Sequence, residues 1–218
     1  MIHAYAKEYL NDAMDNLGEA FDYAVNTCLF DIDEFMALFI ASGYSDRFGK
    51  GNPKYVSGLS GTELVIETIE KSGKKMSFPE PQTEYDCSPE YWCGWILAYY
   101  QWNTGRSFRD IHDNISMLEI KKLYHPLHEA SEEKFVDTLN EIIRKRNAPS
   151  KLQQQRKRCG YSQKELAERS GVNLRTLQQY ELKTKNTNKA SVQTMMALAN
   201  VLGCKVENLL EYSTEENN

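Results

Sequence analysis

The sequence predicts an all-α chain in two parts, an amino-terminal helical domain over residues 1–146 and a carboxy-terminal helical domain over residues 147–218. Three observations lead there. Apolar residues recur at alternating steps of four and three, the spacing of one helix face. Polar caps of the Ser-x-x-Glu kind open one segment after another. The charge also changes sign along the chain: residues 1–150 hold 15 basic and 24 acidic side chains, residues 151–218 hold 11 and 7, and residues 151–190 hold 10 and 3. The net charge of −5 over 218 residues therefore hides a basic segment.

Taken in order, Leu10, Met14, Leu17, Phe21, Ala24 and Cys28 form the seam of one long amphipathic helix. Asp31 with Glu34 marks a second helix closing near Gly43, and Ser60 with Glu63 opens a third through Leu64, Ile66 and Ile69 that ends by Gly73. Residues 47–63, RFGKGNPKYVSGLSGTE, are rich in glycine with scattered bases. A phosphate cradle would need a preceding strand and a lysine followed by serine or threonine, so this segment reads as a loop. Residues 72–88 read as a polar loop broken by Pro79 and Pro81. Ser88 and Pro89 then start the most aromatic helix, SPEYWCGWILAYYQW, with Trp92, Trp95, Tyr99 and Trp102 on one broad face. Buried, this stripe is the centre of the domain; exposed, it is an anchor surface for a partner or an effector.

Residues 104–124 repeat a grammar found further on. Gly105, Ser107, Asp110 and Ile111 correspond to Gly160, Ser162, Glu165 and Leu166, and Ser116 with Glu119 caps the helix that follows. This suggests a degenerate second helix-turn-helix, with a turn two residues shorter, used for packing. A helix ending in Arg144, Lys145 and Arg146 is interrupted by Asn147 and Pro149, which places the domain boundary at residues 146–150.

The segment 161–181, YSQKELAERSGVNLRTLQQYE, carries the most information. Ser162 and Glu165 make a capping box, Leu166 and Ala167 face inward, and Gly171 stands where the helix must end. Asn173 caps a second helix anchored by Val172, Leu177 and Tyr180. Arg175, Thr176, Gln178 and Gln179 are left for another surface.

This spacing resembles the lambda-repressor/Cro class of helix-turn-helix, also called the xenobiotic-response-element family, over residues 152–211. The resemblance implies a five-helix domain with helices at 152–158, 163–169, 174–181, 191–202 and 206–211, closed by Leu198, Leu202, Gly203, Val206, Leu209 and Leu210. It implies double-stranded operator DNA as partner, with Gln163, Asn173, Leu174, Arg175, Thr176 and Gln179 at base-reading positions. Side-chain chemistry agrees: an arginine fork suits guanine, a glutamine amide suits adenine, and Leu174 suits a thymine methyl. Tyr161, Lys183, Lys185 and Asn186 are placed for phosphate. The chain departs from the family after Glu181, where a glycine often stands two residues on and this chain has Lys183 in a longer loop, 183–189.

The amino-terminal part, through IHAY, NLGEAFDYAV and SPEYWCGWILAYYQWNTGRSF, resembles a domain of helix-turn-helix regulators from Gram-positive gut bacteria. That likeness implies a bacterial or mobile-element regulator and no reaction. The expectation is a cytoplasmic repressor acting as a homodimer, its dimer contacts coming from the 10–28 seam, the aromatic helix or residues 206–210. Two alternatives stay open: an antitoxin whose amino-terminal domain neutralises a partner toxin, and a sensor with an effector pocket around Trp92, Trp95 and Tyr99.

No export signal or membrane span is expected, since apolar stretches fall far short of the roughly 20 residues a span requires. Five cysteines without short paired spacing suit a reducing cytoplasm. His125, His128 and Glu129 are close in sequence, but Pro126 interrupts the helix that would align them as metal ligands. Asp31, Asp33 and Glu34 read as helix-start charges. No nucleophile with a base, no metal cluster and no cofactor loop is seen, so neither catalysis nor a cofactor is expected.

Overall fold

The computed structural model describes residues 3–81 and 87–211, so the centre of the loop expected at 72–88 lies outside the described residues, as do residues 1–2 and 212–218. Every regular element among the described residues is helical. The chain divides into two compact units, Met1–Arg146 and Asn147–Asn218.

The first unit is organised around α1 (Leu10–Asp22), which continues as a widened π turn, Tyr23–Thr27, and stops where Leu29 takes φ +60°. Leu10, Met14, Leu17, Phe21 and Ala24 are buried as the spacing required, while Cys28, past the π turn, is half-buried. That seam is packed from inside the unit, by α4 (Gly61–Lys71) and α5 (Pro89–Thr104). Two glycines permit the approach. A Cβ on Gly94 of α5 would sit 2.2 Å from the Leu17 carbonyl oxygen, and one on Gly61 would sit 2.4 Å from the Ala20 amide nitrogen. Glu19 of α1 completes the second contact by accepting from the Gly61 amide and the Thr62 hydroxyl, each at 3.0 Å.

On the other side, α2 (Ile32–Ala41), α3 (Tyr44–Gly49) and α6 (Phe108–Asn114) share an aromatic cluster in which Phe39 meets Phe48 and Phe108 edge-on at 6.1 and 5.5 Å. Asp31 caps α2 as expected. Asp33 does something the sequence did not signal: it accepts from the Met117 amide at 2.6 Å and the Leu118 amide at 3.3 Å, at the start of α7 (Met117–Lys122). It thus caps a helix 84 residues away.

Three expectations need correction. Residues 47–63 are more than a loop, for they contain the end of α3 and a π turn, Lys54–Gly58, that buries Tyr55 and Val56. A short helix, α8 (Tyr124–Leu127), contains Pro126, because in a four-residue helix the missing N–H falls among donors without an intrahelical partner anyway. His128 stacks on Tyr124 at 4.5 Å, and no cluster of three metal-ligating groups exists among the described residues. Trp92 and Trp102 are no surface anchors, for both are buried. Tyr124 and Phe135 are set edge-on against Trp92 at 5.6 Å, since α8 and α9 (Glu132–Asn147) cover that end of the stripe, and His3 stacks on Trp102 at the other.

Helices α6 and α7 are capped at Ser107 and Ser116. They use their buried faces against other helices, α6 against α2 and α3, α7 against α2, α5 and α8. The capping part of the internal likeness is present at Ser107 and Ser116. The Glu119 carboxylate, which closes the Ser116 capping box, also binds Arg146 at the end of α9. The Arg146 guanidinium is the main cause that holds Glu119 down to about 2. Because its folded pKa is depressed, its contribution is present above the ordinary carboxylate range and is lost as pH falls toward about 2.

Gly94→Ala tests the α1–α5 contact. Alanine is better in a helix by up to about 1 kcal/mol, but overpacking against a backbone carbonyl costs about 3 kcal/mol. Denaturant titration followed by circular dichroism should show a net loss of about 2 kcal/mol, and a gain in stability would contradict the close approach.

Candidate nucleic-acid interface

The second unit is built from α10 (Lys151–Arg158), α11 (Gln163–Ser170), α12 (Leu174–Glu181) and α13 (Val192–Leu202). Leu152, Leu166, Leu177, Leu198 and Leu209 are fully buried at its centre. The expected fifth helix at 206–211 is only a 3-10 turn, Val206–Asn208. The Asn208 side chain caps the Lys205 amide, and Leu209 enters the core directly after the turn.

The joint between α11 and α12 follows the sequence closely. Ser162 and Glu165 form the full capping box, with the Ser162 amide donating to Glu165 at 2.7 Å, which keeps that carboxyl below its usual range. Gly171 ends α11 at φ +69° with no room problem but a backbone only glycine takes easily. Asn173 caps α12 by accepting from the Arg175 and Thr176 amides at 2.9 and 3.4 Å. Its side-chain oxygen is thereby committed to the helix start, and only its amide N–H groups remain for a base.

Along α12, Leu177, Tyr180 and Glu181 are buried. At 100° per residue the opposite face centres on Arg175 and Gln179, with Gln178 and Thr176 flanking. Arg175 and Asn173 are exposed, Leu174 is 37% exposed, and Thr176, Gln178 and Gln179 are half-buried. This face is therefore polar because the packing uses the other one.

A buried ion pair sets its direction. Arg156 of α10 donates to both Glu181 oxygens, at 2.5 and 2.8 Å, and to the Tyr161 carbonyl at 2.7 Å. The Glu181 hydrogen bonds push the guanidinium pKa further up. Gln163 also donates to Glu181, at 2.8 Å, and accepts from Gln178 at 3.4 Å. Gln163, expected to meet DNA, is thus held in a network that joins α10, α11 and α12. Spacing gave no sign of this, since Arg156 and Glu181 lie 25 residues apart.

The loop after α12 explains the departure at position 183. Lys183 has φ +58°, the left-handed conformation that glycine adopts freely. The same turn carries Lys185, whose ammonium lies 5.4 Å from the Tyr180 ring centre, and Asn186, whose oxygen caps the 3-10 turn Thr187–Lys189. Tyr161 is half-buried, and the Arg169 guanidinium lies 5.0 Å over its ring. No sequence spacing marks Arg169; the fold brings it over Tyr161. Lys164 is exposed at the start of α11, beside Asn173 and Leu174 in a shallow depression of about 470 Å³.

Of the aromatic stripe, Trp95, Tyr99 and Trp102 line a separate cleft of about 420 Å³ in the first unit. Tyr99 donates to Glu133 at 2.9 Å. Burial and then this bond push the Tyr99 hydroxyl up to about 12.

Residues 152–209 match the family model of the lambda-repressor/Cro-like helix-turn-helix. The match lies within the second unit, and the helices it spans include α11 and α12. No curated protein and no solved structure matches the chain significantly. No helix among the described residues is long and apolar enough to cross a membrane.

Two substitutions probe this geometry. Glu181→Ala leaves a buried guanidinium unpaired and should cost about 3–5 kcal/mol, read as a lowered denaturation midpoint, while an apolar replacement of both Arg156 and Glu181 should recover most of it. Lys183→Gly should stabilise the unit by about 0.5–1 kcal/mol, because relief of the left-handed strain exceeds the added chain entropy; a loss in the same titration would contradict the strain.

Proposed function

We propose that the chain is a sequence-specific, DNA-binding regulator of transcription that engages operator DNA as a homodimer and represses by occluding a promoter. The observation that carries this is the exposed polar face of α12, centred on Arg175 and Gln179, in a helix-turn-helix unit whose residues 151–190 hold 10 basic and 3 acidic side chains.

The proposed division of labour follows from chemistry. Arg175 presents two parallel donors to guanine O6 and N7, and Gln179 pairs with adenine N6 and N7 one helical turn further on. Leu174 supplies apolar contact, Thr176 a hydroxyl, and Asn173 its amide donors. Gln163 exchanges its bond to Gln178 for DNA while its partner Glu181 keeps it in place. Tyr161, Lys183, Lys185 and Asn186 hold phosphates and so set register without reading bases, with Arg169 and Lys164 joining them. Two such units related by a twofold axis would meet half-sites about 34–36 Å apart, or a multiple of that.

A second role is favoured by one specific observation, the 420 Å³ cleft in the first unit. A preformed cleft with aromatic walls suits an effector that changes operator affinity.

Selection of duplexes from a random pool by the full-length protein, followed by footprinting, tests the main reading; a two-part palindromic site is expected, and retention of random duplexes without enrichment would contradict it. On the selected site Arg175→Ala should lose about 1–3 kcal/mol and relax preference at one base position, whereas Lys185→Ala should weaken all duplexes alike and lower the salt slope by about one. Equal losses on selected and random DNA would remove Arg175 from base reading.

A further inference from the structure

The cleft between α1, α5 and the start of α9 combines two features that call for one kind of ligand. Its walls are Trp95, Tyr99 and Trp102, with Leu10 and Met14 of α1 beside them. Its charged groups are Asp15, Glu132, Glu133 and the single Lys7. Some carboxylates of this unit are matched to cations, Glu67 to Lys54, Glu90 to Lys121 and Glu119 to Arg146. Asp15, Glu132 and Glu133 have no such ion pair among the described residues.

These groups are set before any ligand arrives. Tyr91 donates to Asp15 at 3.1 Å, and Tyr99 donates to Glu133 at 2.9 Å. The Trp102 indole donates to the Tyr5 carbonyl at 2.9 Å, and His3 stacks on its ring at 3.7 Å with planes 6° apart. With Tyr99 and Asp15 held by hydrogen bonds, these groups need less reordering on binding.

We propose that this cleft binds a small organic cation, an alkylated or aromatic amine whose apolar body lies against Trp95 and Tyr99 and whose positive charge faces Asp15, Glu132 and Glu133. The indole and phenol faces attract a cation through their quadrupoles, and the carboxylates add to that attraction. An anion would be repelled by the excess negative charge. A neutral apolar molecule would cover the carboxylates and leave their negative charge unbalanced. The volume of about 420 Å³ suits a compact amine. The regulatory consequence rests on the effector reading above; the binding itself does not.

The test titrates benzyltrimethylammonium into the full-length protein, by calorimetry and tryptophan fluorescence, with uncharged benzyl alcohol as comparison. Saturable binding of the cation at one site, with the alcohol much weaker, supports the proposal. Trp95→Leu should weaken it by about fivefold to thirtyfold, and Glu133→Gln, a surface change that leaves the wall intact, should weaken it independently. Equal binding of cation and alcohol, or no saturation by the cation, would overturn it, as would full affinity in both variants. Operator affinity with and without the cation then separates the two readings. A shift supports the effector role, and saturable binding with unchanged operator affinity keeps the cation site while removing that role.

Discussion

The direction of the polar face of α12 depends on one buried interaction, the bidentate pair of Arg156 and Glu181. Removing two charges from water costs several kcal/mol per ion, and further hydrogen bonds to the pair offset part of that loss. The guanidinium also donates to the Tyr161 carbonyl, and the carboxylate also accepts from Gln163. The pair therefore ties the last turn of α12 to α10 and to the first turn of α11. With that end held, and the other end capped by Asn173, α12 cannot rotate its polar face away from the side that carries Gln163 and Lys164.

A different constraint organises the first unit. Gly94 and Gly61 let α5 and α4 touch the backbone of α1, so this helix is enclosed on its seam and stabilised by close contact. The same approach of α1 to α5 brings Leu10, Met14 and Asp15 beside Trp95 and Tyr99. The cleft is thus a product of helix packing, with its aromatic side supplied by α5 and part of its acidic side by α1. Where α8 and α9 cover the stripe, at Trp92, the same kind of residue is core.

The charge division has a physical use in this arrangement. Basic residues are concentrated in 151–190, where a phosphate backbone would be met, and the acidic excess lies in the other unit, where carboxylates border an aromatic cleft. Long-range attraction to a polyanion and short-range attraction to a cation require opposite local fields. A chain of net charge −5 can hold both only by separating them.

Local signals accounted for much of this protein. The capping boxes at Ser60, Ser116 and Ser162, the Asn173 cap and the exit at Gly171 were legible because each acts within a few residues. The buried seam of α1 and the inward face of α12 followed from helical periodicity. What was missed depends on partners distant in the chain: Asp33 capping α7, the Arg156–Glu181–Gln163 network, and the burial of Trp92 and Trp102 in a stripe whose Trp95 and Tyr99 line a cleft. The sequence by itself determined which segments are helices and which faces are apolar, since propensity, capping and periodicity operate along the chain. Only the tertiary structure decided which polar groups meet and which aromatic face stays open, because those choices depend on what another helix covers.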